Sequence, residues 1–168
     1  LSTRRQRQMC IRDRFDITPP DNFQLDSAYA VGGNEIFGYW NASNNSIVLE
    51  TPISITDESL VGGSFQPLIS IGGGEFENFG SSIEIVEVPE TGSVFLEISG
   101  NIFESMSNYA DNINAIFTTK IIDKAGNETQ GLSDGTIIHV DEIIPTLDSI
   151  GISTNNALSS NWATSSDN

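Results

Sequence analysis

Positive charge is what this chain has least of: 7 Lys+Arg stand against 23 Asp+Glu in 168 residues, a formal net charge of −16. A surface so acidic repels polyanions, which excludes nucleic acid as a partner and argues against anionic lipid. Cysteine and histidine are each present once, as Cys10 and His139, so neither an internal disulfide nor a zinc site can be built. Long apolar runs are missing as well. The longest are four or five residues, as in Ser46-Ile47-Val48-Leu49, far from the ~20 that a membrane-crossing helix needs, and no direct membrane insertion is expected. What is there is a hydrophobic fraction of 38% carried by Ile, Val, Leu and Phe, which favours strands over helices.

The few cations are unevenly placed. Arg4, Arg5, Arg7, Arg12 and Arg14 are five of the seven, and Cys10 lies among them. The run Arg4-Arg5-Gln6-Arg7-Gln8-Met9-Cys10-Ile11-Arg12-Asp13 resembles the one-frame translation of a transposase-type sequencing adapter. Residues 1–14 are therefore expected to be a disordered scar fused to an environmental gene fragment, and they are set aside from fold reasoning. The remaining 154 residues hold 22 acidic groups against two lysines, Lys120 and Lys124, a net charge of −20.

Seven short segments rich in β-branched and aromatic residues, separated by Gly, Asn, Asp and Pro clusters, predict an antiparallel sandwich. They cover residues 22–30, 46–54, 64–71, 81–88, 93–99, 113–122 and 129–140, with a turn or short extra strand in 72–80. Pro67 suggests an edge position for the third, since proline cannot donate to a ladder. The glycines of the last suggest a bulge. Between the fifth and sixth, Ile102, Met106 and Tyr109 recur at helical spacing, and Asn101 with Glu104 has the spacing of a capping box, so a short crossover helix is expected there. Period-2 alternation assigns residues 47, 49, 53, 94, 96, 98, 115, 117 and 121 to one inter-sheet core.

A weak internal repeat is also visible. Asp16 followed by Pro19-Pro20 is echoed by Asp141 followed by Pro145, and Trp40-Asn41-Ala42-Ser43 by Trp162-Ala163-Thr164-Ser165, at offsets of about 125 and 122 residues. The run Asp123-Lys124-Ala125-Gly126-Asn127, followed by a strand and then Val140-Asp141-Glu142-Ile143-Ile144-Pro145, resembles the ending of bacterial immunoglobulin-like repeats of large secreted or cell-surface proteins. Gly38-Tyr39-Trp40-Asn41-Ala42-Ser43-Asn44, followed later by Asp57-Glu58-Ser59-Leu60-Val61-Gly62-Gly63-Ser64-Phe65, is similar to the start of one repeat subtype. The resemblance implies an all-β, immunoglobulin-like sandwich of about seven strands over residues 15–139, and a linker with the first strand of a truncated next repeat over 140–168. It further implies a non-catalytic structural or adhesive module, a spacer or stalk, in an extracellular or cell-surface tandem array. Its partners would be neighbouring repeats, with a surface glycan or protein ligand elsewhere in the full protein. The rival expectation is a carbohydrate-binding accessory module of a secreted polysaccharide-degrading enzyme, holding sugar on Tyr39 and Trp40.

Catalytic chemistry finds no foothold. His139 sits among Ile137, Ile138 and Val140 with no nucleophile motif, and adjacent acids such as Asp57-Glu58 or Glu84 and Glu87 are expected by composition alone. The glycine-rich stretches at 31–34 and 71–80 lack the lysine of a phosphate loop. Calcium is the one metal the composition favours, because hard oxygen ligands abound. Sandwich order brings Asp16, Asp57 or Glu58, and Asp123 to one pole as candidate calcium ligands at a repeat junction, with Asp141 serving the next junction. The competing reading of the same residues is turn-making and capping. Asn41, Asn44 and Asn127 head glycosylation sequons, read here as a product of Asn/Ser-rich composition.

Overall fold

A computed structural model describes residues 16–143. The expectations for residues 1–14, for the echo at Trp162 and for a further strand after residue 143 lie outside the described residues. Among the described residues ten strands are formed: β1 (Ser27–Val31), β2 (Tyr39–Trp40), β3 (Ser46–Pro52), β4 (Ser64–Ile71), β5 (Glu77–Asn78), β6 (Ile83–Glu84), β7 (Ser93–Ser99), β8 (Asn114–Ile122), β9 (Glu128–Gln130) and β10 (Ile138–Val140). A 3-10 turn, Glu58–Leu60, and one short helix, α1 (Gly100–Glu104), complete the elements.

The strands make two sheets. The smaller has the order β1-β3-β7, all antiparallel; the larger has β2-β10-β8-β4-β5, with β6 also on β4 and β9 also on β8. Among the described residues only β2 with β10, and the isolated bridge Gln24 to Leu132, are parallel. The chain is thus an all-β sandwich, as its alternation predicts. Inward residues of β3 and β7 (Ile47, Leu49, Leu96, Ile98) and of β4 and β8 (Phe65, Ile69, Phe117, Ile121) share one buried cluster. Of the nine core residues expected, eight are buried and Val94 packs against them half-buried.

One polar contact crosses this apolar layer. Thr51 on β3 and Thr119 on β8, both fully buried, share a hydroxyl hydrogen bond of 3.0 Å from sheet to sheet. Each hydroxyl is the other's side-chain partner, which satisfies two groups that would otherwise be desolvated alone.

Four local expectations are corrected. Pro67 is not at an edge, because β4 lies between β8 and the β5/β6 pair. Its carbonyl accepts from Phe79 N–H at 2.8 Å, so its nitrogen points to the same side, where the neighbouring strand is interrupted between Asn78 and Ile83, and no bond to β8 is lost. The segment 81–88 pairs as a strand only at Ile83–Glu84, and Ile85 bonds instead to Gly62 and Gly63. The segment 129–140 is two strands, β9 and β10, separated where the Asp134 carboxylate accepts from Thr136. Finally, α1 does cross between the sheets, but its N-cap is Ser99 without a side-chain bond, so the Asn101/Glu104 capping box is not made.

The helix starts one residue after β7 because Gly100 is held by both backbone and core. Its N–H donates to Asn45 O at 2.7 Å, and a Cβ there would lie 2.5 Å from Trp40 Cη2. Only glycine fits. The helix then drives Phe103 into one end of the sandwich, where its ring meets those of Trp40 (5.3 Å), Phe117 (5.9 Å), Phe79 (6.1 Å) and Tyr109 (5.1 Å). These edge-to-face contacts close the core at that end.

Candidate functional site

The features with a bearing on function gather at the two ends of the sandwich. At the proximal pole, where residue 16 leads in, the turn between β8 and β9 wraps around Asp123. This carboxylate is only 3% exposed and accepts from Ala125 N and Asn127 N through Oδ1, each at 2.8 Å, and from Asn127 Nδ2 through Oδ2 at 2.8 Å. The Asp-x-Ala-Gly-Asn run is therefore a self-contained Asx turn, with Gly126 at φ +90° permitting its left-handed step. The same Asn127 amide reaches Asp16 O at 3.1 Å, and Thr129 Oγ1 donates to Pro20 O, so the leading segment is tied down onto β9.

The neighbouring loop supplies Asp57. It caps the 3-10 turn, accepting from Ser59 N (3.0 Å) and Ser59 Oγ (2.6 Å), while Glu58 is exposed in the first turn. Lys124 N donates to Ser59 O at 3.0 Å, which sets the two loops side by side. Asp16, Asp57, Glu58 and Asp123 thus share one pole, as sandwich order predicts, with Asp16 and Asp123 joined through Asn127. Yet no group of three or more His, Cys, Asp or Glu able to hold a metal occurs among the described residues. The hydrogen bonds of Asp57 and Asp123 are those of a cap and a turn.

At the distal pole the chain leaves β10. Asp141 N donates to Trp40 O and Glu142 N to Asp111 Oδ1, both at 2.8 Å, and Asn112 N to Val140 O at 2.9 Å. Asn112 holds a left-handed φ of 62°, a conformation Asn tolerates, and its amide steadies the Asp111 carboxylate at 2.9 Å. Beside it the Trp40-Asn41-Ala42-Ser43-Asn44 motif forms a polar clasp. Asn41 Oδ1 accepts from Ser43 N, Asn44 Oδ1 accepts from Asn41 N, and Asn44 Nδ2 and Asn41 Nδ2 donate to Gly32 O and Asn34 O across the loop. All three sequon asparagines, Asn41, Asn44 and Asn127, thus have their side-chain amides engaged in structural hydrogen bonds.

Trp40 is completely buried, which takes it out of any sugar-holding platform and leaves Tyr39 half of an edge-on contact with His139 (5.7 Å). His139 Nδ1 meets Asn114 Oδ1 at 2.8 Å, a strand-face contact between β10 and β8. Trp40 Nε1 and Tyr109 Oη lie near one another and near Glu142, both buried and neither in hydrogen-bond geometry with a described residue. Burial pushes the Tyr109 phenol far above the ordinary tyrosine range, and the Glu142 carboxylate pushes it further in the same direction. Of the expected helical stripe only Ile102 lies on α1, which ends at Glu104; Met106 and Tyr109 follow it in turns, and it is Phe103, which that spacing does not single out, that forms the hub of the core's distal end.

Fold and poles together define an all-β sandwich whose polypeptide arrives at one end and departs at the other. No protein-family model, curated protein or solved structure matches the chain. No helix among the described residues is long and apolar enough to cross a membrane.

Proposed function

We propose that this chain is a non-catalytic structural module, an immunoglobulin-like spacer or stalk unit in a tandem array of an extracellular or cell-surface bacterial protein. The observation that carries the reading is the antipodal placement of residues 16 and 143. Strand β8 runs from the distal to the proximal pole over nine residues, on the order of 30 Å at ~3.3 Å per residue. The leading segment is bonded at its far end and the departing segment at its origin. Units so threaded add length when joined in series. Strand order supports the reading: once the two-residue strands and β9 are set aside, β1, β3 and β7 facing β4, β8 and β10 correspond to strands A, B and E against C, F and G of an immunoglobulin sandwich, with no counterpart of strand D in the small sheet among the described residues.

Load along an array would act between residues 16 and 143. The parallel contacts Gln24 with Leu132 and β2 with β10 would then be sheared, so that their hydrogen bonds resist together. Single-molecule extension between those two points is the test. A spacer gives one all-or-none event releasing about 40 nm of chain, at ~3.5 Å per residue less the folded length. Gradual yielding at low force, without a discrete event, would overturn the reading.

A further inference from the structure

The smaller sheet ends at β7, and among the described residues no strand pairs with its outer side. The segment that could have done so stays with the larger sheet, since β6 pairs with β4 and Ile85 bonds to Gly62 and Gly63. Between that segment and β7 runs a groove of about 360 Å³, with Phe65, Ile85 and Val94 among its apolar residues and Glu84 and Glu87 along it. Seven residues of backbone, Ser93–Ser99, border this side, and every second one directs its N–H and C=O away from β3. Phe95, 60% exposed, and Glu97 stand on the outer face of the same strand.

We infer that the β7 edge is a docking site for an extended segment of another polypeptide, added as a fourth strand to the small sheet. Backbone pairing supplies the attraction and the groove supplies the register. Inward positions of the added strand continue the row Val94, Leu96 and Ile98, so they are β-branched or otherwise apolar. Outward positions lie beside Phe95 and Glu97, so they are an aromatic and a Lys or Arg. Charge selects the partner: Glu84 and Glu87 line the groove, Glu97 is exposed further along β7, and the only Lys or Arg among the described residues are Lys120 and Lys124, of which Lys120 is engaged with Glu128 at 3.1 Å. The same charge disfavours a second copy, whose acidic edge would meet this one.

The probe is the capped peptide Lys-Val-Thr-Val-Lys-Val-Tyr-Val-Lys, titrated into the isotope-labelled full chain and followed by backbone NMR. Saturable shifts confined to β7 and residues 83–89, with slowed exchange of alternate β7 amides, are expected. Replacing the lysines by glutamate should weaken binding at least tenfold, as should the surface variant Glu84→Lys/Glu97→Lys, while Glu75→Lys/Glu77→Lys beside β5 should leave it unchanged. A circular-dichroism melt of each variant checks that it is folded. Shifts at β1 or β2 instead, equal affinity for the glutamate peptide, no binding at millimolar peptide, or dimerisation through β7 without peptide would each overturn the inference.

Discussion

The hydroxyl pair at the centre of the sandwich offers the sharpest test of how the sheets are joined. Thr51 Oγ1 and Thr119 Oγ1 are 3.0 Å apart, both residues are fully buried, and neither side chain has another hydrogen-bond partner among the described residues. Thr51→Val removes one hydroxyl at nearly constant shape and leaves the other desolvated and unpaired, a cost of about 1–3 kcal/mol. Thr119→Val costs the same for the same reason. The double variant leaves nothing unsatisfied, and two methyl groups in an apolar layer return the stability to within roughly 0.5 kcal/mol of the parent. The coupling across the cycle is therefore about 2 kcal/mol or more, well above the error of additivity. Urea unfolding of the four proteins reads it out: at a slope near ~1.5 kcal/mol per molar, each single variant loses about 1 M in midpoint and the double variant almost none, with the slope unchanged. A double variant as unstable as the sum of the singles would refute the reasoning, because it would mean that the hydroxyls contribute independently rather than to each other.

Phe117→Ala should cost about 3–5 kcal/mol by equilibrium unfolding, since the ring is fully buried between Phe79 and Phe103; a near-neutral value would place that face of β8 outward. Asp123→Asn should cost about 1–2 kcal/mol, because an amide in place of one carboxylate oxygen turns a donor toward the Asn127 amide, and the loss should be equal in EDTA and in millimolar calcium at matched ionic strength. A larger loss in calcium would instead put a metal between Asp16 and Asp123. Tyr109 is held neutral by the fold, so its raised folded-state pKa contributes stability that is complete below pH ~10, the unfolded value, and declines as pH rises beyond it. Midpoints measured from pH 8 to 11 should fall, and Tyr109→Phe should flatten that fall.

Strands were legible where breakers sharply bound an alternating run. Ser64–Ile71 and Ser93–Ser99 match the expected limits residue for residue, because glycine precedes each and follows each. Limits blurred where tertiary bonds overrode local pattern. Nothing in Ser81–Val88 announces that Ile85 will bond across to Gly62 and Gly63, and the break within 129–140 depends on the Asp134 turn. At the proximal pole the gathering of Asp16, Asp57 and Asp123 followed from strand order alone. What each carboxylate would bond to did not, since Asp serves as turn acceptor or as metal ligand with the same side chain. Trp40 was ambiguous for a related reason: an aromatic next to a polar loop can face solvent or core, and the space left by Gly100, sixty residues away, decides it.

The parallel pairing of Tyr39 and Trp40 with His139 and Val140 has a consequence for how the molecule comes into being. Synthesis delivers a chain from its N-terminus, and β2 cannot find its partner until nearly the whole of the described fold has emerged. Until then β8 also lacks one neighbour, and the core lacks the buried side chains of Ile138 and Val140. Closure of such distant contacts is slow, in the millisecond-to-second range typical of sandwich topologies. A nascent chain therefore spends that interval with β2 unpaired and one edge of β8 open. In an array of such units, as proposed above, a competitor for these strands would be the β10 of the unit made just before, and dense negative charge on each unit would keep the two apart.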